Sequence, residues 1–314
     1  MGRNTKTAWR AAAVLALLVL DQPAARAFSP DVLASVVSVL PEWPATAPRP
    51  EEPEGSAVAV LAGGYLATNA HVLGGAKRIR VRLHDGRLMD AEIIGRDGPT
   101  DIALIRVGID LPVPEMGPEP ALAAPVCAVG NAFGLDLSVT CGVVSAIHRT
   151  GTGFNPVEDF IQTDAAINPG GSGGALVDAR GRLVGLVSAI FTKRSDANIG
   201  VNFAASLRLV MRVVADLKEH GRVRRGKSGL RVEDLTDGER ASLAGARIVR
   251  VTPGGAAAQA GLAAGDIITA LGGRRIVKAS DVSGAMYLHR PGEPFAVTVL
   301  RDGAARIFTL VPKP

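Results

Sequence analysis

"INPGGSGGALVD", residues 167–178, sets one serine, Ser172, among four glycines and just behind Pro169. Gly and Pro punctuate loops, so a flexible turn is the plain reading. The other reading is a nucleophile whose surrounding backbone must come close to a reacting carbonyl. That chemistry needs more than a serine. It requires a base for the hydroxyl, a group that orients the base, and donors for the developing oxyanion.

The chain offers five histidines. His84 sits in the turn-like "LHDG", His220 precedes a glycine at a helix end, and His148 and His289 lie in polar connections. Only His71 lies inside an apolar segment, "YLATNAHVLGG". Asp101 stands at the mouth of another, "PTDIALIRV". Singly, these read as a packed core histidine and a turn-capping acid. Together they give the order His71, Asp101, Ser172. Gly170–Gly174 also fits the loose G-x-S-x-G pattern of α/β-hydrolases, but those enzymes run Ser, Asp/Glu, His on alternating strands and helices. Here the residues before Ser172 are strand-like throughout, and no suitable histidine follows. The observed order is the chymotrypsin one.

The wider chain agrees with a β-rich fold. From Gly55 onward come short apolar runs separated by turns, among them "SAVAVLAGG", "RIRVRLHDG", "APVCAVG" and "LSVTCGVVSAI". Closely spaced β-branched segments of this kind predict a barrel or sandwich. Residues 41–55, "PEWPATAPRPEEPEG", carry five prolines and four glutamates and read as an extended connector. The first clear helix is "SLRLVMRVVADLKEHG", with Leu207, Val210, Val214 and Leu217 on one face and Gly221 as C-cap. Basic "RVRRGK" then reads as a linker, and strands resume from Gly229 to Pro314.

Of the 314 residues, 47% are hydrophobic and 21% charged, a globular balance for about two domains. At the N-terminus, Arg3, Lys6 and Arg10 precede "AAAVLALLVL" and then Ala25-Arg26-Ala27. This is the pattern of a cleaved export signal over residues 1–27, and its apolar run is too short to span a bilayer. Its removal takes away four positive charges and one negative, bringing the formal +5 to about +2. The basic balance therefore makes no case for nucleic acid. Export also puts Cys127 and Cys141 where a disulfide is allowed. A bridge across a hairpin and two buried thiols both stay open.

"TNAHVL", "TDIALIRV", "GNAFGLDLSVTCGVVSAI" and above all "DFIQTDAAINPGGSGGALVDARGRLVGLVSAI" resemble the HtrA family of exported trypsin-like serine proteases. The resemblance implies a chymotrypsin-like double β-barrel over residues 55–222, after a Pro-rich segment at 28–54, and ATP-independent endopeptidase activity in protein quality control of the periplasm. Ser172 is then the nucleophile, His71 the base and Asp101 its orienter. The N–H groups of Gly170 and Ser172, with Gly171 between them, form the oxyanion hole. The family commonly has Asn at the place of Gly171; the N–H survives, in a more flexible loop. Ala166, six residues before Ser172, is not an acid, so a preference for Arg or Lys is not expected. By resemblance, Ile167 and Ser188, Ala189 and Ile190 line a small apolar pocket, which suits residues buried in folded proteins and so favours unfolded chains.

"GARIVRVTPGGAAAQAGLAAGDIITALGGRRI", residues 245–276, is similar to a PDZ module, placed over residues 229–314 after a linker at 223–228. Such a groove adds an extended peptide as a strand and captures its terminal carboxylate. Gly229, Leu230, Arg231 and Val232 map onto the binding segment. Ala285 and Leu288, on a helix expected from Asp281 to Leu288 with Ser280 as N-cap, are assigned to the other wall. In the family this module looks like a substrate tether or activity switch, and Arg149 maps onto its relay to the active-site loops. A homotrimer through the N-terminal segment is also implied, with Phe28 and Trp43 as the aromatic contacts on offer. No metal or nucleotide motif appears, so no cofactor is expected. The rival reading is a chaperone or scaffold that holds unfolded chains and cuts little.

Overall fold

The computed structural model describes residues 30–43, 54–190 and 199–314, without the side chains of Pro30, Ala189 and Ile190. The export signal expected at 1–27 and Phe28 lie outside the described residues.

The first closed barrel holds β1 (Val36–Glu42), β2 (Gly55–Leu61), β3 (Tyr65–Asn69), β4 (Arg78–Arg82), β5 (Leu88–Asp97) and β6 (Ile102–Val107), in the spatial order β1-β2-β3-β6-β5-β4. Its core is aliphatic, built on residues such as Val37, Leu66, Ile79 and Ile105. Each such buried side chain contributes about 1.5–3 kcal/mol. A one-turn helix, α1 (Ala70–Leu73), leaves the end of β3. The barrel corrects the expected start at Gly55. β1 pairs with both β2 and β4 and closes the cylinder. Proline density concealed it: Pro41 falls inside the strand, near its end, after the fully buried run Val36–Val39. Trp43 packs against the same core, its ring beside Gly74. That aromatic is therefore used within its own barrel.

The second closed barrel holds β7 (Pro125–Gly130), β8 (Ser138–Arg149), β9 (Phe160–Thr163), β10 (Ala175–Asp178), β11 (Leu183–Ile190) and β12 (Asn202–Ser206), in the order β10-β11-β12-β9-β8-β7. Cys127 and Cys141 face each other across the β7–β8 hairpin and form a disulfide, with Cα atoms 4.0 Å apart. In the chain-entropy model a loop of this size contributes about 3 kcal/mol.

α2 (Leu207–His220) follows as expected. Ser206 caps its start by accepting the Leu209 N–H, and Gly221, at φ 68°, ends it in the left-handed conformation. Val210, Val213, Val214 and Leu217 are buried, and the helix packs on strands of both barrels.

The third unit is a sheet of β13 (Leu230–Asp234), β14 (Ala246–Val251), β15 (Ile267–Leu271), β17 (Phe295–Arg301) and β18 (Ala304–Leu310), with short β16 (Arg274–Arg275) against β15. Short α3 (Asp237–Arg240) and α4 (Ala256–Gln259) and the longer α5 (Ala279–Tyr287) complete it. α5 begins earlier than expected. Lys278 is its N-cap, because the Asp281 carboxylate accepts the Val277 and Lys278 N–H groups from inside the first turn. Ser280 is thereby left free to reach across to Thr150, oxygen to oxygen at 3.0 Å.

That contact belongs to a seam between the third unit and the second barrel. Asp159, 1% exposed, binds Arg274 at 3.0 Å and His148 at 3.1 Å, and accepts the Ser206 hydroxyl at 2.7 Å. Thr150 donates to Asp281 and its carbonyl accepts Lys278 Nζ. Arg225 pairs with Asp97 of β5. The loop carrying Thr150 is braced from within: the N–H groups of Thr152, Gly153, Phe154 and Asn155 all converge on the Glu158 carboxylate.

Candidate active site

His71 lies in the first turn after β3, and Asp101 in the tight turn before β6. The strands pair so that Asn69 sits opposite Ile102, which brings the two turns together. Asp101 then holds His71 at two points. Its Oδ1 accepts the His71 main-chain N–H at 2.9 Å, and its Oδ2 lies 2.6 Å from His71 Nδ1. Asp101 is itself fixed: its carbonyl accepts the Ala70 N–H at 3.0 Å and the Asn69 side-chain amide at 2.9 Å. These bonds hold its backbone at φ 56°. Left-handed backbone at a non-glycine residue is strained, and such strain collects at functional sites. Asp101 is 14% exposed and His71 45%, so the imidazole opens toward solvent while the carboxylate is covered.

Ser172 stands on the second barrel between two turns. The Gly171 N–H bonds to the Asn168 carbonyl and the Gly174 N–H to the Gly171 carbonyl, both at 2.9 Å. The Gly171 donor is thus consumed in a turn. The Pro169 carbonyl accepts the Phe133 N–H at 2.7 Å. In a trans peptide the N–H lies opposite the C=O, so the Gly170 N–H is turned away from Phe133. Gly170 has φ +88°, and a Cβ there would strike the Asn131 carbonyl; glycine is required on both counts.

The two barrels meet at this loop. Ser56 of β2 is fully buried and makes four hydrogen bonds at the meeting point, three to the second barrel and one within its own. Its N–H donates to the Ser172 carbonyl at 2.8 Å and its hydroxyl to the Gly170 carbonyl at 2.8 Å. The same hydroxyl accepts the Asn131 N–H, and its carbonyl accepts the Thr68 hydroxyl. Gly173 completes the approach, since any side chain there would enter the Ser56 carbonyl and the Thr68 hydroxyl. Nearer His71, the Asn69 amide donates to Ser188 Oγ at 3.3 Å, and the Ser188 carbonyl lies 3.5 Å from the Ser172 hydroxyl. Ser172 is 6% exposed, and the contacts of Asn69 with Ser188 and of Ser188 with Ser172 connect its loop to the end of β3 from which His71 leaves.

Residues 55–186 match the family model for a trypsin-like peptidase domain, and residues 226–310 match that for a PDZ domain. Among solved structures, the HtrA-type protease AlgW with tripeptide shares 37% identity and a TM-score of 0.71, over 90% of this chain and 94% of that one. The chain belongs to the HtrA family. Among curated relatives of this HtrA chain, the putative serine protease HhoB of Synechocystis is 35% identical, over 87% of this chain and 69% of that one. The periplasmic serine endoprotease DegP of Salmonella typhimurium is 38% identical, over 80% of this chain and 55% of its own length. The HtrA chain thus spans about half the length of the DegP relatives it matches.

The other expected site residues fall as follows. Ile167 is buried next to Gly171, facing a small cavity under the Ser172 loop. Ser188 stands on β11 beside Ser172. The side chains of Ala189 and Ile190 lie outside the described residues. In the PDZ unit, Gly229, Leu230 and Val232 line a groove, while Arg231 points away to Glu233. Val282 and Met286 form the other wall in place of Ala285 and Leu288. Ala285 is in the PDZ core and Leu288 joins the buried cluster around α2. Val282 and Met286, one turn apart, share a face that reaches the groove, whereas the short Ala285 side chain stays in the core. Arg149 donates to Gln162 within its own barrel at 3.0 Å, and its neighbour Thr150 makes the contact with the PDZ unit. Ser56, Thr150, Asp159 and Glu158 carried no signal in the sequence, because each acts through partners far along the chain.

Proposed function

We propose that this chain is an exported serine endopeptidase that cuts unfolded or damaged proteins in the cell envelope. Its protease unit would run from β1 to Gly221, and its PDZ unit, Gly229 to Pro314, would follow the linker at 223–228. The observation that carries the reading is the two-point hold of Asp101 on His71 in a chain of the HtrA family. In this reading His71 takes the proton of the Ser172 hydroxyl as its oxygen attacks the scissile carbonyl. It returns the proton to the leaving amine, while Asp101 keeps the imidazole in the Nδ1–H tautomer and stabilises its charged form. The Gly170 and Ser172 N–H groups receive the oxyanion, where losing one donor typically costs about 10²–10³ in turnover. Ile167 and Ser188 would border a small apolar pocket for the residue before the cut. Residues 1–27 would be removed at export, and the periplasmic address named for DegP supports that location.

The PDZ groove at Gly229–Val232 would bind peptide C-termini, a role supported by the tripeptide in the AlgW structure. The loop Arg149–Asp159 would carry the state of that groove toward the protease. The test is labelling of the mature chain with a fluorophosphonate, alongside cleavage of casein. Wild-type protein labels and cuts; Ser172→Ala does neither and still binds peptides. Absence of labelling with any activating peptide would leave a chain that only holds unfolded proteins.

A further inference from the structure

A cavity of about 440 Å³ opens between the PDZ unit and the protease unit. Its two walls differ in chemistry. One is apolar and belongs to the PDZ unit: Leu230 and Val232 of β13 face Val282 and Met286 of α5. The other is cationic and belongs to the rest of the chain: Arg212 projects from α2, and Arg224 and Lys227 from the linker.

The charges on the second wall are not balanced locally. Arg212 is 8% exposed and pairs with Asp216 at 2.7 Å, while its Nη2 donates to the Arg224 carbonyl. Its Nε is buried without an acceptor. Asp216 is already shared, accepting the Arg224 N–H at 2.8 Å and facing Arg290 at 3.5 Å. Its carboxyl is held below the ordinary range. Burial opposes ionisation, and the bonds from Arg212 and the Arg224 N–H outweigh it. Arg225 is taken by Asp97 and lies over the Tyr287 ring. Among the described residues no carboxylate lies within ion-pair distance of the Arg224 or Lys227 side chains. An apolar surface opposite a desolvated guanidinium and two unpaired cations suits a ligand that is apolar on one side and anionic on the other.

We propose that this cavity takes a peptide C-terminus whose last residue is apolar and whose penultimate residue is Asp or Glu. The proposal rests on the PDZ reading given above and names the ligand for it. A peptide added alongside β13 places alternate side chains on opposite faces. The last and third-last residues then face the Leu230–Met286 wall. The penultimate side chain faces the other way, where this chain puts α2 and the linker. Its carboxylate meets the field of Arg212 and pairs with Arg224 or Lys227. The terminal carboxylate takes main-chain N–H groups at Gly229 and Leu230, displacing the Ser228 hydroxyl that accepts the Leu230 N–H at 3.2 Å in this structure. Such a peptide touches both units at once, so selectivity is set partly by the protease unit and the linker.

The experiment uses the full chain carrying Ser172→Ala, so that ligands stay intact, and fluorescent decapeptides ending in Glu-Val or Gln-Val. Each is made as the free acid and as the C-terminal amide. The Glu-Val acid is expected to bind about tenfold more tightly than the Gln-Val acid at low salt, and the gap closes at high salt. In the double variant Arg224→Ala, Lys227→Ala, both at exposed positions, the gap falls to about twofold or less, and the Gln-Val acid binds as before. Equal affinity of the two acids overturns the proposal and leaves the groove intact. If no free acid binds, or the amides bind as well as the acids, the PDZ reading beneath it is overturned instead.

Discussion

Two seams hold this molecule together, and they are made of different material. Where the barrels meet at the Ser172 loop, most bonds run through main-chain amides, carbonyls and small hydroxyls: Ser56 to Ser172, Gly170 and Asn131, and Asn69 to Ser188. Among the described residues, charge enters there only through Asn131 to Glu54 and Arg82 to Asp136. Where the PDZ unit and the linker meet the protease unit, most bonds involve charged side chains: Asp159 with Arg274, Asp97 with the linker's Arg225, Asp216 with Arg290, and Asp281 and Lys278 with Thr150, beside one hydroxyl pair, Thr150 with Ser280. Neutral bonds from a rigid backbone fix positions without ordering long side chains, and they respond little to salt or pH. Charged bonds are stronger when covered, yet they titrate and are weakened by salt. The first kind suits a fixed geometry, and the second can be loosened by salt or acid.

Four predictions probe that contrast, from the largest effect down. Asp101→Asn should lower turnover of an unfolded protein substrate by about 10⁴-fold, since the amide favours the wrong imidazole tautomer. Docking of the PDZ unit, read as protease resistance of the linker 223–228, should not change. A loss below about tenfold would show that Asp101 does not orient the base. Gly170→Ala forces a side chain against the Asn131 carbonyl and should cost about 10²–10³ in turnover by displacing one oxyanion donor. A thermal melt of the same variant separates that loss from unfolding.

Ser56→Ala removes the hydroxyl that braces Gly170 from the opposite barrel. It should lower turnover about tenfold and stability by ~1–3 kcal/mol in denaturant titration, because the buried Asn131 N–H and Gly170 carbonyl lose a partner. A variant with full activity would move the seam's rigidity elsewhere. The smallest effect is acid release of the charged seam. Burial alone would raise the Asp159 pKa, but the His148 hydrogen bond, the Arg274 charge and the Ser206 hydroxyl outweigh it, so the carboxyl titrates below its ordinary 3.8. The stability it contributes is complete above pH 3.8 and is lost as pH falls through the folded value. Hydrogen exchange at residues 278–284 should therefore quicken only below about pH 4, while exchange at 170–174 stays slow. Release already near neutral pH would show that Asp159 does not set the sensitivity of this seam.

The two seams also differ in how far they could be read in advance. His71, Asp101 and Ser172 stood out because each sits in a distinctive local string and their order along the chain is diagnostic. α2 was legible from its apolar face and Gly221, both local properties. Ser56 looks like any serine entering a strand, and its four bonds run to residues 12 to 116 positions away. β1 was hidden by nearby prolines, since only its pairing with β4 shows that Val36–Glu42 is wall and not connector. Thr150 and Arg274 acquire meaning only when the PDZ unit is set against the barrel.

The sequence by itself determined a β-rich chain and the order His71, Asp101, Ser172, because these follow from periodicity and local strings, and its resemblance to the HtrA family implied the double barrel and the PDZ module. Tertiary structure alone decided that Cys127 and Cys141 are bonded, that Ser56 ties the barrels at Gly170, and that Arg212 overlooks the PDZ groove. Those facts depend on which distant surfaces come within about 3 Å, the reach of a hydrogen bond, and spacing along a chain does not specify that.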